Sequence, residues 1–181
     1  MSEGLRWVYL TSLPVSGSTI ISLVANAHPD IVSPGELIGP GPVDIANFPE
    51  GPTCSCAKLV GECPFWMQVT KRHMGRGYRW KPTAWGLDYH FVDLPNLGRI
   101  ALSRPDPYAL RMRFFEKLPV FAPRLGALAA RNRSYADAVL EASGKKVLLD
   151  ASKQPQRIVH LSRIPGIDLR VIHLIRHPGG Y

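Results

Sequence analysis

Four short stretches hold residue types that could bind a phosphorylated group, take a proton and stabilise developing negative charge. The first is Leu13-Pro14-Val15-Ser16-Gly17-Ser18-Thr19. Where a loop runs into a helix, the first backbone N–H groups lack intrahelical acceptors and lie at the positive end of the helix dipole. Such a terminus binds phosphate, and Gly17 would let the backbone approach it closely. Ser16, Ser18 and Thr19 add hydroxyl donors. An ordinary capped strand–helix turn has the same composition, so the loop alone does not decide between the two. A nucleotide-kinase loop would need G-x4-G-K-[ST]. The first glycine and the lysine are both missing here, which disfavours ATP.

The second stretch is His28-Pro29-Asp30-Ile31 followed by Gly35-Glu36-Leu37. Glu36, in a loop just beyond a sheet edge, could take the proton of an attacking hydroxyl as general base; a solvated loop acid is the plain alternative. The third is Leu148-Leu149-Asp150-Ala151-Ser152-Lys153, at the end of an apolar strand, where open α/β sheets place ligand contacts. Lys153 there could stabilise charge on a group in transfer. The fourth is His173-Leu174-Ile175-Arg176-His177-Pro178-Gly179-Gly180, in which Arg176 suits a phosphate clamp. Solvated surface roles for Lys153 and Arg176 remain open at this level. Cys54, Cys56 and Cys63 form a C-x-C-x6-C cluster that could supply three zinc ligands, with His73 as a fourth. The spacing is not the C-x2-C pairing of common zinc sites, and an odd count argues against a disulfide framework. Thiols without a metal are the expectation.

The elements that must position these residues follow from periodicity. Residues 5–11 predict a central strand, and Ser18–Ala27, with Ile20, Ile21, Leu23, Val24 and Ala27, predict a helix stopped by His28-Pro29. Ile31–Val32 start a short strand. Pro and Gly are dense from Ser33 to Pro52, and no clean period runs through 53–108, where short helices and loops are expected. Residues 40–108 are thus read as a loop-rich lid or substrate-facing insertion in a single domain spanning 1–181. Leu110–Leu118 and Leu125–Ala142 predict helices, the second capped by Ser134 and stopped by Gly144. Lys146–Asp150 predicts a strand, Pro155–Ile164 a helix opened by proline, and Leu169–Ile175 a strand. Strands alternating with helices imply an α/β fold with a central, mostly parallel sheet flanked by helices.

Composition narrows the function classes. The 181 residues are 45% hydrophobic and 20% charged, which suits a folded domain. No segment reaches the roughly 18 apolar residues of a membrane span. The N-terminus carries no signal-peptide pattern, so the cytoplasm is the expected compartment. The net charge is +8, with loose concentrations at Lys71–Lys81 and Arg104–Lys117 but no continuous block. Scattered charge of this kind suits a polyanionic nucleotide; nucleic acid is not the expected partner.

Together and in this order, the four stretches resemble the sulfotransferases that use 3′-phosphoadenosine 5′-phosphosulfate (PAPS), most closely bacterial members and the tyrosylprotein branch. The family's P-R-S-G-T-T-like loop corresponds to Pro14–Thr19, its H-P-D and G-E to His28–Asp30 and Gly35–Glu36, and its D-x-S-K to Asp150–Lys153. Cys54-Ser55-Cys56 with Glu62-Cys63-Pro64-Phe65-Trp66, and Ile164–Arg170 with Leu174-Ile175-Arg176, are also similar to segments of those proteins. The resemblance implies a P-loop-like three-layer fold. It implies sulfuryl transfer from PAPS to a hydroxyl or amine of a small-molecule or glycan acceptor, without a metal. Pro14, Ser16, Gly17, Ser18 and Thr19 would hold the 5′-phosphosulfate and Arg176 the 3′-phosphate. Glu36 would be the base, and Lys153 would face the transition state. Three departures stand against that pattern. Val15 replaces a cation, Arg-Asp-Pro-Arg reads Arg176-His177-Pro178-Gly179, and the family's further C-terminal helix would lie past Tyr181. On that expectation the chain is an incomplete sulfotransferase domain. An inactive or binding-only relative is the alternative, and another P-loop enzyme a more distant one.

Overall fold

The apolar and β-branched run at the start of the chain forms β1 (Leu5–Ser12), in which Leu5, Trp7, Tyr9 and Leu10 are buried. The computed structural model describes residues 4–40, 46–89, 112–113 and 116–177. Among them the order is β1, α1 (Ser18–Asn26), β2 (Ile31–Gly35), α2 (Pro64–Gly75), α3 (Ala122–Ser143), β3 (Val147–Asp150), α4 (Pro155–Leu161) and β4 (Ile167–Leu174). The strands form one sheet in the order β2-β3-β1-β4, and every pairing is parallel. β1 is central, as its apolar content predicts, because a parallel strand covered on both faces must be apolar on both. This is an α/β fold with helices on both faces of the sheet.

One face carries the main core. Leu5, Trp7, Tyr9, Val32 and Leu148 pack there against Trp66 and Val69 of α2, Tyr135 and Val139 of α3, and Leu161 of α4. Trp66, Trp85 and Tyr135 have ring centroids 5.1–6.3 Å apart, which adds about 0.5–1.5 kcal/mol per pair beyond burial. The aromatic residues Trp80, Trp85, Tyr78 and Tyr89 serve packing. Trp80 and Trp85 join this cluster, while Tyr78 stacks on His73 and Tyr89 on His160. On the other face Leu10, Leu149 and Ala151 pack with Ala25 of α1.

The local stop and start signals hold. Pro64 and Pro155 open α2 and α4 at positions where a missing N–H is harmless. Gly144, at φ 68°, closes α3 through a bond from its N–H to the Leu140 carbonyl at 2.9 Å. Three readings change. Ser134 is no cap: it lies inside α3, buried, with its hydroxyl 3.0 Å from Nδ1 of His73. Only short helices and loops are expected across 53–108, yet α2 runs for 12 residues within it, burying Trp66, Val69 and His73 on one stripe. The helix from Pro155 ends at Leu161, three residues early. The expected lid includes residues 41–45 and 90–108, which lie outside the described residues, as do residues 110, 111, 114 and 115 of the expected Leu110–Leu118 helix and most of the Arg104–Lys117 basic stretch. No helix among the described residues is long and apolar enough to cross a membrane.

Two histidines in this core tie stability to pH. Burial, reinforced by Arg163 and Arg157, pushes His160 down to about 3; burial, then Arg131 and Arg76, pushes His73 down to about 4. The unfolded chain protonates both near pH 6.5. It therefore binds more protons than the folded chain below that pH, and stability falls as the solution is acidified, by up to about 1.4 kcal/mol per pH unit for each group. Urea titrations at pH 7, 6 and 5 should show this loss, and His160→Asn should reduce its slope. Equal unfolding free energies at pH 7 and 5 would refute the coupling.

Candidate functional site

The loop after β1 is built as an N-terminal helix cradle. Gly17 is the residue preceding α1, at φ 90°, and its carbonyl accepts from the N–H groups of Ile20 and Ile21 at 3.1 and 3.2 Å. The N–H groups of Ser18 and Thr19 then have no intrahelical acceptor. A β-carbon at Gly17 would meet nothing within 4 Å, so the space before this backbone is open. Ser16 folds its hydroxyl back to the Leu13 carbonyl at 2.7 Å, Ser18 is buried, and Pro14 and Thr19 are exposed. Below the loop, the buried Ser12 hydroxyl has no partner among the described residues. Val15 stands at φ 64°, a left-handed conformation that β-branched residues avoid and that costs on the order of 1–3 kcal/mol.

Arg176 comes to this loop from the far end of the chain. It follows β4 by two residues, and its Nη1 donates to the Val15 carbonyl at 3.0 Å. The partner of the strained peptide is thus the arginine picked out from the fourth stretch. The family-pattern residues Pro178 and Gly179, and Tyr181, lie outside the described residues.

Glu36 and Lys153 meet each other. Lys153 Nζ lies 2.5 Å from Glu36 Oε1, in an ion pair that is partly open to solvent. Both backbones are pinned. An irregularity in the β2–β3 register falls between Val32 and Gly35, at Pro34, where a missing N–H is tolerated on an edge strand. Beyond it, the Gly35 carbonyl accepts from Ala151 N–H at 3.0 Å, and Leu37 N–H donates to Ser152 Oγ at 2.9 Å. The Tyr9 hydroxyl accepts from Gln154 N–H at 3.0 Å and donates to the Gln154 carbonyl at 2.9 Å. Between these anchors Lys153 adopts φ 60°, another left-handed non-glycine position. Burial, followed by the nearby Asp150 carboxylate, drives the Tyr9 hydroxyl strongly upward, so it stays a neutral donor.

Beneath the pair lies a buried ionic network. Asp150 and Arg157 are 0% and 1% exposed, with Arg157 Nε 3.2 Å from Asp150 Oδ2. Arg157 also donates to the Leu87 carbonyl at 2.7 Å and to Asn132 Oδ1 at 2.8 Å. The other carboxylate oxygen of Asp150 accepts from the Ser152 N–H and hydroxyl. Asp150 thus orients Ser152, which in turn holds Leu37 next to Glu36. Ser152 and Tyr9 are positioning residues that sequence reasoning missed. Ser152 sits within the quoted D-x-S-K, whereas nothing local distinguishes Tyr9 from a core aromatic.

A cleft of about 970 Å³ opens beside these groups. Its lining includes Thr19, Gly35, Glu36, Phe48, Trp66 and the three cysteines. No family model, curated protein or solved structure matches the chain. The chemistry of the site therefore rests on its own geometry. The structure places Glu36 against Lys153, and Arg176 against the Leu13–Thr19 loop, with all four segments leaving the carboxyl ends of β1 to β4. His73, considered as a partner of the cysteines, is instead fully buried between Ser134, Tyr78 and Tyr135.

Proposed function

We propose that this chain is a PAPS-dependent sulfotransferase with a P-loop-like core, acting on a hydroxyl or amine of a small-molecule or glycan acceptor in the cytoplasm. The observation that carries the reading is the convergence of the Leu13–Thr19 loop, Glu36, Lys153 and Arg176 at one edge of the sheet. That edge is a topological switch point. The connection from β1 leads to β2 on one side, and the connection from β3 crosses β1 to reach β4 on the other. Ligands of open α/β sheets bind at such a point. The open backbone at Gly17, and a buried Ser12 hydroxyl with no partner among the described residues, suit an anionic group at the head of α1.

In this reading Ser16, Ser18, Thr19 and the α1 N-terminus hold the 5′-phosphosulfate, with Pro14 shaping the loop, and Arg176 holds the 3′-phosphate. The acceptor oxygen or nitrogen attacks sulfur in line. The bond from sulfur to the bridging phosphate oxygen breaks, and its electron pair leaves with adenosine 3′,5′-bisphosphate. Glu36 takes the acceptor proton. Once protonated, Glu36 no longer attracts Lys153, whose ammonium is then drawn to the oxygens of the transferring group. The Glu36–Lys153 pair thereby links proton removal to charge stabilisation. Exposed apolar side chains of the cleft lining, Leu23 and Phe48, suit an acceptor with an apolar or sugar face.

A second reading, binding without turnover, is favoured by Val15, which leaves the loop without the cation that would draw charge off the bridging oxygen. Calorimetric titration with adenosine 3′,5′-bisphosphate tests both readings, since each requires binding; none at millimolar ligand removes both. Arg176→Ala should weaken the interaction by about 10-fold or more, the usual worth of a hydrogen bond to a charged group. An unchanged affinity would take Arg176 out of the site. Labelled PAPS offered with a panel of alcohols, phenols and amines separates the two readings, because only the first yields a sulfated product.

A further inference from the structure

The three cysteines carry a site that the sulfotransferase reading does not use. Their Sγ atoms lie within 4.8 Å of one another, with Cys54–Cys63 and Cys56–Cys63 both at 3.5 Å. Thiolates bound to one tetrahedral zinc at about 2.3 Å stand about 3.8 Å apart, so this triangle needs only small shifts to accept the ion. The convergence is imposed by the backbone. Cys54 N–H donates to the Lys58 carbonyl at 2.8 Å and Ala57 N–H to the Cys54 carbonyl at 2.9 Å, which folds Cys54 to Lys58 into a tight turn. Ala57 sits in that turn at φ 65°, and Thr53 pairs with Leu59 across its base. The Leu59 carbonyl then accepts from Glu62 and Cys63 N–H groups, both at 2.9 Å, which brings Cys63 back under the turn. Cys63 immediately precedes α2, so its sulfur lies beside the first backbone N–H groups of a 12-residue helix.

We propose that Cys54, Cys56 and Cys63 bind one Zn²⁺ as a trithiolate site in the wall of the cleft. The site is graded from solvent to core, with Cys56 exposed, Cys54 half-buried and Cys63 buried, which supplies an entry path. No fourth protein ligand joins the group among the described residues, and three protein ligands with one exchangeable position is the arrangement of a reactive zinc. The fourth position takes water or a donor atom of a molecule in the cleft. Binding releases the thiol protons to solvent, up to three per ion, so affinity rises with pH. This site stands or falls independently of PAPS binding.

The test is spectroscopic titration of the reduced full chain with Co²⁺ and then Zn²⁺. The expected result is one equivalent of Co²⁺, with an intense thiolate-to-cobalt charge-transfer band and the visible bands of a tetrahedral site, bleached by one equivalent of Zn²⁺. Cys56→Ser, at an exposed position, should weaken Co²⁺ binding by at least about 100-fold, since loss of even an outer partner of a metal ligand costs 10–100-fold. Circular dichroism checks that this variant folds, Cys54→Ser provides a second ligand variant, and Val120→Ala, at an exposed position outside the cleft lining, should bind normally. The proposal is overturned if the charge-transfer band is absent, if Co²⁺ affinity is the same in Cys56→Ser, or if the thiols form a disulfide in air while the reduced chain takes up no Co²⁺.

Discussion

Arg157→Met should lower the unfolding free energy by about 3–5 kcal/mol, the usual consequence of removing one partner of a buried ion pair. The reason is what would be left behind. Asp150 is 0% exposed, and its Oδ2 faces Arg157 Nε. Methionine fills much of the arginine volume but cannot neutralise that carboxylate, and the Leu87 carbonyl and Asn132 Oδ1 lose their donor. Against a total stability of about 5–15 kcal/mol for a domain, the loss is a large fraction. Urea denaturation measures it directly. Asp150→Leu combined with Arg157→Met should recover much of the loss, because no charge is then stranded, although Ser152 also loses its acceptor. A loss below about 1 kcal/mol in Arg157→Met would show that water reaches Asp150.

Lys153→Ala, tested on a confirmed sulfuryl-transfer activity, should lower kcat by about 10²–10³-fold, the scale of removing one group aimed at transition-state charge. Adenosine 3′,5′-bisphosphate lacks the sulfuryl group, so its affinity should be little changed. That split between turnover and binding distinguishes a role at sulfur from a general disturbance of the loop. Glu36→Gln should lower kcat by about 10²–10⁴-fold for loss of general base catalysis. The two side chains form one ion pair at 2.5 Å, so the effects should not add: the double variant should be scarcely slower than the worse single one. A Glu36→Gln variant with intact turnover would end its role as base. Additive losses would show that the pair does not act as a unit.

The same strained geometry recurs at both halves of the site. Val15 and Lys153 occupy left-handed conformations, and each is flanked by long-range contacts, Arg176 at the Val15 carbonyl and Tyr9 at Gln154. Residues in sparse backbone regions persist only where their surroundings over-determine them. The contacts that hold the site in shape are therefore the ones most separated along the chain.

What the sequence determined by itself was local. Apolar, β-favouring runs located β1, β3 and β4, and Pro29, Pro155 and Gly144 marked helix ends, because those residues restrict φ or tolerate its positive range wherever they stand. It also located Glu36, Lys153, Arg176 and the Ser16–Thr19 loop beyond strand ends. It could not say which side of α1 faces in. Ile20, Leu23 and Val24 are exposed, while the small Ser18 and Ser22 are buried and Ser22 approaches Ser33 of β2 to 2.5 Å. Close packing of helix on strand there outranks apolar periodicity. Tertiary structure alone decided that Lys153 pairs with Glu36, that Arg176 reaches Val15, that Asp150 is neutralised by Arg157, and that the thiols of Cys54, Cys56 and Cys63 meet. These contacts depend on strand order and on turns that bring distant segments to one edge of the sheet, and neither composition nor spacing along the chain encodes that proximity.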